Sequence, residues 1–308
     1  MIITTLINSI ILMGCLMLIG YFLRKYNKIN DAAEQSFTYI LVNITTPAMI
    51  INTFLIKFSL EKFKTGIFIM FIAVIFDFVL VLLAKISSAK IKDDEKKRVL
   101  KYSVVLMNGG FMGFPLINQM FGQEGLFYAT MFYIPNLVFM WTYGLSVFIR
   151  GKKGISSYKQ MLFNPNMISI YVGFAIYLLQ IPLPSFGRSL ASLLASMTTV
   201  ISMLIIGSKI EVIGLRNAFM DNDAYYVSFL RLIVSSIVMI ILLKFIYLSE
   251  MIKQVYVIYA ALPVAVMMPI VAKQYNRDDV FSSKIIVITH LISLVTIPIF
   301  VYIHTLFS

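Results

Sequence analysis

Apolar runs long enough to cross a bilayer recur along this chain, and few features restrict a fold more. In hydrocarbon, a backbone polar group without a partner costs several kcal/mol, roughly, so only helices and closed barrels span it. A core about 30 Å thick asks for roughly twenty apolar residues per helix. Such runs occupy residues 4–23, 37–56, 65–84, 99–119, 126–149, 164–180, 189–208, 225–247, 254–272 and 281–304. Composition agrees: 60% of the 308 residues are hydrophobic and 13% charged, against about a quarter charged in soluble domains. The expected fold is an all-α integral membrane protein of ten transmembrane helices. The first run is too long for a signal-peptide core and has no basic region ahead of it, so it reads as a retained helix. The single cysteine, Cys15, lies in that run; it excludes a disulfide framework and reads as a packing residue.

The net charge of +12 first suggests nucleic acid, but its distribution gives an orientation instead. With the N-terminus outside, the odd-numbered connections hold 19 Lys and Arg and the even-numbered ones 6, with Arg231 inside a span. Basic residues concentrate on the cytoplasmic side. A multi-pass protein of the cell membrane with both termini outside follows, and a nucleic-acid partner does not. The connection at residues 151–163 separates two sets of five spans, 1–150 and 164–308. Five is odd, so a duplicated half would re-enter the membrane inverted, as in many secondary transporters.

The span at residues 99–119 carries the sequence Asn108-Gly109-Gly110-Phe111-Met112-Gly113-Phe114-Pro115. Glycine loosens the backbone and proline removes a donor. Irregular backbone at membrane depth survives only beside a cavity or buried in protein. A second interrupted span matches it. Pro269 lies 154 positions after Pro115, Pro263 the same distance after Gly109, and His290 after Asn136. Paired interruptions at corresponding positions point to a transport site. Proline suits the first turn of a helix, so Pro115 and Pro269 are expected to open second half-helices. Their free N–H groups carry about half a positive charge and suit an anion, a carboxylate above all. Asn108 can add side-chain donors without placing a charge in lipid.

These residues resemble the auxin efflux carrier family, which includes bacterial permeases and the plant PIN proteins. The fourth-span stretch, followed by Met120-Phe121-Gly122, resembles that family's fourth span. Ala260-Ala261-Leu262-Pro263 and Pro269-Ile270-Val271-Ala272-Lys273-Gln274-Tyr275-Asn276 look closer still to the PIN ninth span. Asn43 and Pro47, flanking Thr45 and Thr46, are similar to the second-span Asn and Pro. The resemblance implies two inverted five-helix repeats, crossing broken helices 4 and 9, and an elevator-type motion. It also implies a homodimer and organic-anion transport, with the substrate-binding Asn at Asn108 and the crossover prolines at Pro115 and Pro269. Plant members have Gln where this chain has Val264, and a long central loop that it lacks. Both departures favour a small metabolic acid, a mono- or dicarboxylate, over auxin, and a bacterial or archaeal carrier.

The candidate substrate-binding set is therefore Asn108, Gly109, Gly110, Pro115, Pro263, Pro269, Asn43 and Pro47. Asp77 is the one acid well inside a span, a candidate for coupling or support beside His290, which also reads as a hydrogen-bonded packing residue. Arg231, about seven residues into its span, reads as snorkelling to the interface. A coupling ion, if one is used, is H+ on Asp77 or His290, or Na+ on broken-helix carbonyls. No cofactor or metal site is expected. No G-x-x-x-x-G-K-[ST] or H-E-x-x-H pattern occurs, which argues against direct ATP hydrolysis and an intramembrane enzyme. A receptor that binds the same anion without moving it is the alternative to a carrier.

Overall fold

The structure is a computed structural model and describes residues 2–149 and 162–307. The fifth connection, with Arg150, Lys152, Lys153 and Lys159, and most of the 151–163 division lie outside the described residues. Among the described residues every regular element is helical. In order they are α1 (Ile2–Lys25), α2 (Asp31–Ile40), α3 (Thr46–Thr53), α4 (Leu60–Ser87), α5 (Asp94–Val105), α6 (Phe114–Phe139) and α7 (Leu145–Phe148). After the central connection come α8 (Pro165–Leu179), α9 (Ser185–Ile213), α10 (Leu215–Phe219), α11 (Asn222–Ser228), α12 (Ser235–Leu243), α13 (Glu250–Ala261), α14 (Met268–Gln274) and α15 (Asp279–Phe307).

Each apolar run lies mainly on helix, yet among the described residues six helical stretches are long and apolar enough to cross a bilayer, by length and composition. The shortfall has local causes. The fourth and fifth runs join into one stretch, Gly109–Phe148, which bends at Gly122 with φ 61° and ψ −154°. Only glycine adopts that backbone freely. The second run is divided by a π-turn at Leu41–Thr45, and the ninth is interrupted between α13 and α14. The sixth, α8, is a shorter apolar helix. Its ends follow the sequence closely: Asn164 caps the Met167 N–H, and Gln180 closes it in the left-handed conformation.

The helices pack as two groups. In one, α1 lies along α9, and α3 packs on α8 and α9. The contact of α1 with α9 is glycine-mediated: a Cβ on Gly20 would lie 2.3 Å from the Leu204 carbonyl oxygen, and one on Gly207 2.0 Å from that of Met17. Close backbone approach through small residues is the usual way membrane helices associate. In the other group, α4 packs on α5 and α6, while α13 packs on α6, α12 and α15. The two interrupted segments lie inside this second group.

Candidate functional site

Helix α5 ends at Val105, and Leu106 turns the chain into extended geometry at φ −101° and ψ 115°. Helix resumes as a π-turn at Gly109–Gly113, where the Asn108 carbonyl accepts from the N–H groups of Met112 and Gly113 at 3.2 and 3.1 Å. The second half-helix therefore opens at Gly109 rather than at Pro115, where it was expected. Pro115 falls in the first turn of α6. A proline cannot donate to the carbonyl four residues back; here that carbonyl, on Phe111, accepts from the Ser202 hydroxyl at 2.9 Å. In the ninth span α13 ends at Ala261, and Pro269 lies in the first turn of α14, as its sequence position suggests.

The two breaks meet. Met107 and Val264 face each other as an isolated antiparallel bridge. The Asn108 N–H donates to the Pro263 carbonyl at 2.9 Å, and the Ala265 N–H to Leu106 at 3.1 Å. Each broken segment thus supplies partners that the other lost by leaving the helix, which a low-dielectric interior requires.

A cavity of about 170 Å³ lies beside this crossing. Asn108, Gly110 and Phe111 form one wall, Val266 and Met267 another, and Tyr133, Trp141, Asn164 and Thr46 contribute from other helices. No charged side chain lines it among the described residues. The first-turn N–H groups at Gly109, Gly110 and Phe111 have no acceptor within their own helix; that of Gly110 is given to the Tyr133 hydroxyl. The Asn108 side chain is fixed from behind: its Nδ2 lies 2.9 Å from Nε2 of His290, whose Nδ1 lies 2.8 Å from the Ile286 carbonyl. A carbonyl only accepts, so Nδ1 carries the proton and Nε2 accepts from the asparagine amide.

The expected site residues divide in this geometry. Asn108 and Gly110 line the cavity. Gly109 instead faces aromatic rings: a Cβ there would lie 2.5 Å from Cδ2 of Tyr133 and 2.9 Å from Cε1 of Tyr259. Pro115, Pro263 and Pro269 are buried and shape the backbone without lining the cavity. Asn43 turns its amide onto the Tyr39 carbonyl at 2.9 Å, and neither it nor Pro47 reaches the cavity. Their helix presents Val42 and Thr46 there, one residue off the expected face. Asp77 is 1% exposed and takes a hydrogen bond on Oδ1 from Nδ2 of Asn136, 2.9 Å away. The same Asn136 nitrogen lies 3.1 Å from the Val105 carbonyl, at the end of α5.

Arg231 overturns the snorkelling expectation. It is 0% exposed, and its guanidinium donates to the carbonyls of Leu262, Val104, Tyr259 and Ala260 at 2.9, 3.1, 3.1 and 3.2 Å. The signal for it was in the sequence. Arg231 lies 154 positions after Asp77, the offset that relates Pro115 to Pro269 and Asn136 to His290.

Comparison with known proteins agrees with a membrane carrier. The chain matches the family model described as membrane transport protein over residues 5–301. It is 26% identical over 286 residues to an uncharacterized transporter of Methanothermobacter thermautotrophicus, covering 92% of this chain and 93% of that protein. It is also 26% identical over 303 residues to an uncharacterized transporter of Methanocaldococcus jannaschii, covering 94% and 96%.

Proposed function

We propose, on the premise that the chain belongs to the membrane transport protein family of auxin efflux carriers, that it carries a small organic anion across the cell membrane. The observation that carries this reading is the cavity at the crossing. It is free of fixed charge among the described residues, and the opening turn of a half-helix and the amide of Asn108 form one wall. A helix N-terminus attracts a carboxylate through its free N–H groups, and the amide adds direction at little desolvation cost. Tyr133 and Trp141 supply an apolar wall for the rest of the molecule, which suits mono- or dicarboxylates and aromatic acids alike.

In this proposal the ten apolar runs form two inverted sets of five, with residues 1–150 and 164–308 as the halves and both termini outside. The group containing α4–α7 and α10–α15 is the moving body, and α1–α3 with α8 and α9 is the fixed frame of a homodimer. Two features support a sliding contact between them. The broken segments belong wholly to one group, and hydrogen bonds between the groups are few among the described residues, that of Ser202 to Phe111 being the deepest.

The test is electrical current on solid-supported membranes carrying the purified protein, challenged with mono- and dicarboxylates and indole-3-acetate. A saturable carboxylate current is expected, weakened about tenfold or more in Asn108→Ala, the equivalent of one hydrogen bond to a charged group. Because electroneutral exchange carries no current, binding and counterflow are measured on the same panel. Binding that survives Asn108→Ala unchanged would move the site elsewhere. Binding without counterflow would make the protein a receptor.

A further inference from the structure

The acceptors of Arg231 belong to a pattern. Val104 lies in the last turn of α5, Tyr259 and Ala260 lie in the last turn of α13, and Leu262 follows at the break. The final carbonyls of a helix have no intrahelical partner and carry about half a negative charge. Two such ends converge here, one from each interrupted segment. In carriers with discontinuous helices, unwound carbonyls and half-helix C-termini are where a coupling Na+ is held. In this chain four of those carbonyls are engaged by one guanidinium.

We infer that Arg231 is a resident cation that takes the place of a coupling metal ion, so that the crossing is assembled, and substrate moved, without Na+. Its planar fork serves several acceptors at once, and its charge is permanent. A buried carboxyl from earlier in the chain backs the same ends. Asp77, at the corresponding position, bonds through Asn136 to Val105, the carbonyl next to the one Arg231 holds. A fixed positive charge at the convergent C-termini does what a bound ion would do, and the Asp77 carboxyl is tied behind one of them through Asn136. Neither leaves during the cycle.

Thermal unfolding of the purified full-length protein in sodium, potassium and choline chloride at equal ionic strength tests this without any substrate. The wild type is expected to unfold at one temperature in all three. A cation that binds only the folded state raises stability with its concentration, so a rise specific to Na+ in the wild type would overturn the inference. Arg231→Ala strips the guanidinium from the four carbonyls, leaving Tyr259 with the Leu262 N–H and Ala260 with the Ser235 hydroxyl; its midpoint is expected to fall, and to recover with guanidinium at concentrations far below denaturing ones or with Na+, but not with choline. A folded Arg231→Ala that responds to no small cation would also overturn it, since a merely structural side chain leaves no such site. If Arg231→Ala does not fold, Arg231→Lys, which keeps one tethered charge, should fold and remain indifferent to Na+; a Na+ requirement in that variant would count against the idea.

Only the flux arm rests on the carrier reading. There, carboxylate transport is expected to match in sodium and choline media, and a drop of about tenfold without Na+, about 1.4 kcal/mol of coupling, would overturn the inference. Absence of flux for every carboxylate would count against the carrier reading and leave the unfolding result to decide this one.

Discussion

Gly109 and Gly110 are neighbours with opposite duties, and the difference is measurable. A methyl on Gly109 would collide with the rings of Tyr133 and Tyr259, whereas one on Gly110 meets the Tyr133 side chain at ordinary contact distance, its hydroxyl nearest at 3.4 Å, on the cavity side. Gly109→Ala is therefore expected to lower stability by about 1–3 kcal/mol through overpacking. Gly110→Ala should leave the unfolding midpoint nearly unchanged and weaken substrate binding by narrowing the cavity. Thermal unfolding and a binding isotherm on both variants separate the two. At this scale, residues that break a local rule were legible: Asn108 and the prolines stood out because a membrane helix does not need them. Asn43 and Pro47 stood out equally and yet miss the cavity, because a π-turn at Leu41–Thr45 rotates the face that their helix presents. Arg231 was misread because depth along a span does not say which way a side chain points; its acceptors lie about thirty or more positions away in sequence.

Among elements, the half-helix after the crossing is held by a donor from outside its own chain segment. Ser202 on α9 serves the Phe111 carbonyl that Pro115 cannot serve. Ser202→Ala is expected to cost about 1 kcal/mol, the usual worth of one hydrogen bond. In a Pro115→Ala background the cost should shrink, since residue 115 then offers its own N–H. A double-mutant cycle by thermal unfolding reads the coupling, and additive costs would mean that the serine and the proline act separately. Helix positions were largely readable from apolar length, including the start of α8 at the run that opens with Asn164. The π-turns at Gly109–Gly113, Met140–Gly144 and Phe229–Val234 were not. A wide turn answers to packing from other helices, and apolar period carries no mark of it.

For the whole molecule, one face is tied together by charge. Asp221 caps α11 and pairs with Lys96 at the start of α5 and Lys284 near the start of α15, each at 3.4 Å, while Lys96 also meets Asp223 at 2.7 Å. Burial pushes the Asp221 carboxyl up, but the charges and hydrogen bonds of Lys96 and Lys284 outweigh it and hold the group below its ordinary value of about 3.8. A depressed folded-state value means stability that is present above the ordinary carboxylate range and lost as pH falls through the folded one. Wild-type unfolding midpoints should therefore drop in acid below about pH 4, and Asp221→Asn should show a smaller drop from a lower starting point. Equal acid sensitivity in both would remove Asp221 from the account. The repeat offset and the charge asymmetry gave an arrangement for the whole chain from sequence. The division of the helices into two packed groups needed coordinates, because it depends on which glycines face which backbones.

Asp77 and Arg231 also bear on ancestry and divisibility. Positions 77 and 231, 154 apart, hold an acid and a base, and each serves the crossing differently. Two copies of the first half would bring together a pair of carboxylates with no guanidinium to gather the carbonyls. Two copies of the second would set two guanidiniums against one another. On the proposed division into halves 1–150 and 164–308, doubling a gene fragment that encodes one half is not expected to restore the protein, whereas supplying the other is. On that proposed division, this pair of residues makes the halves complements, like the two hands of a clasp.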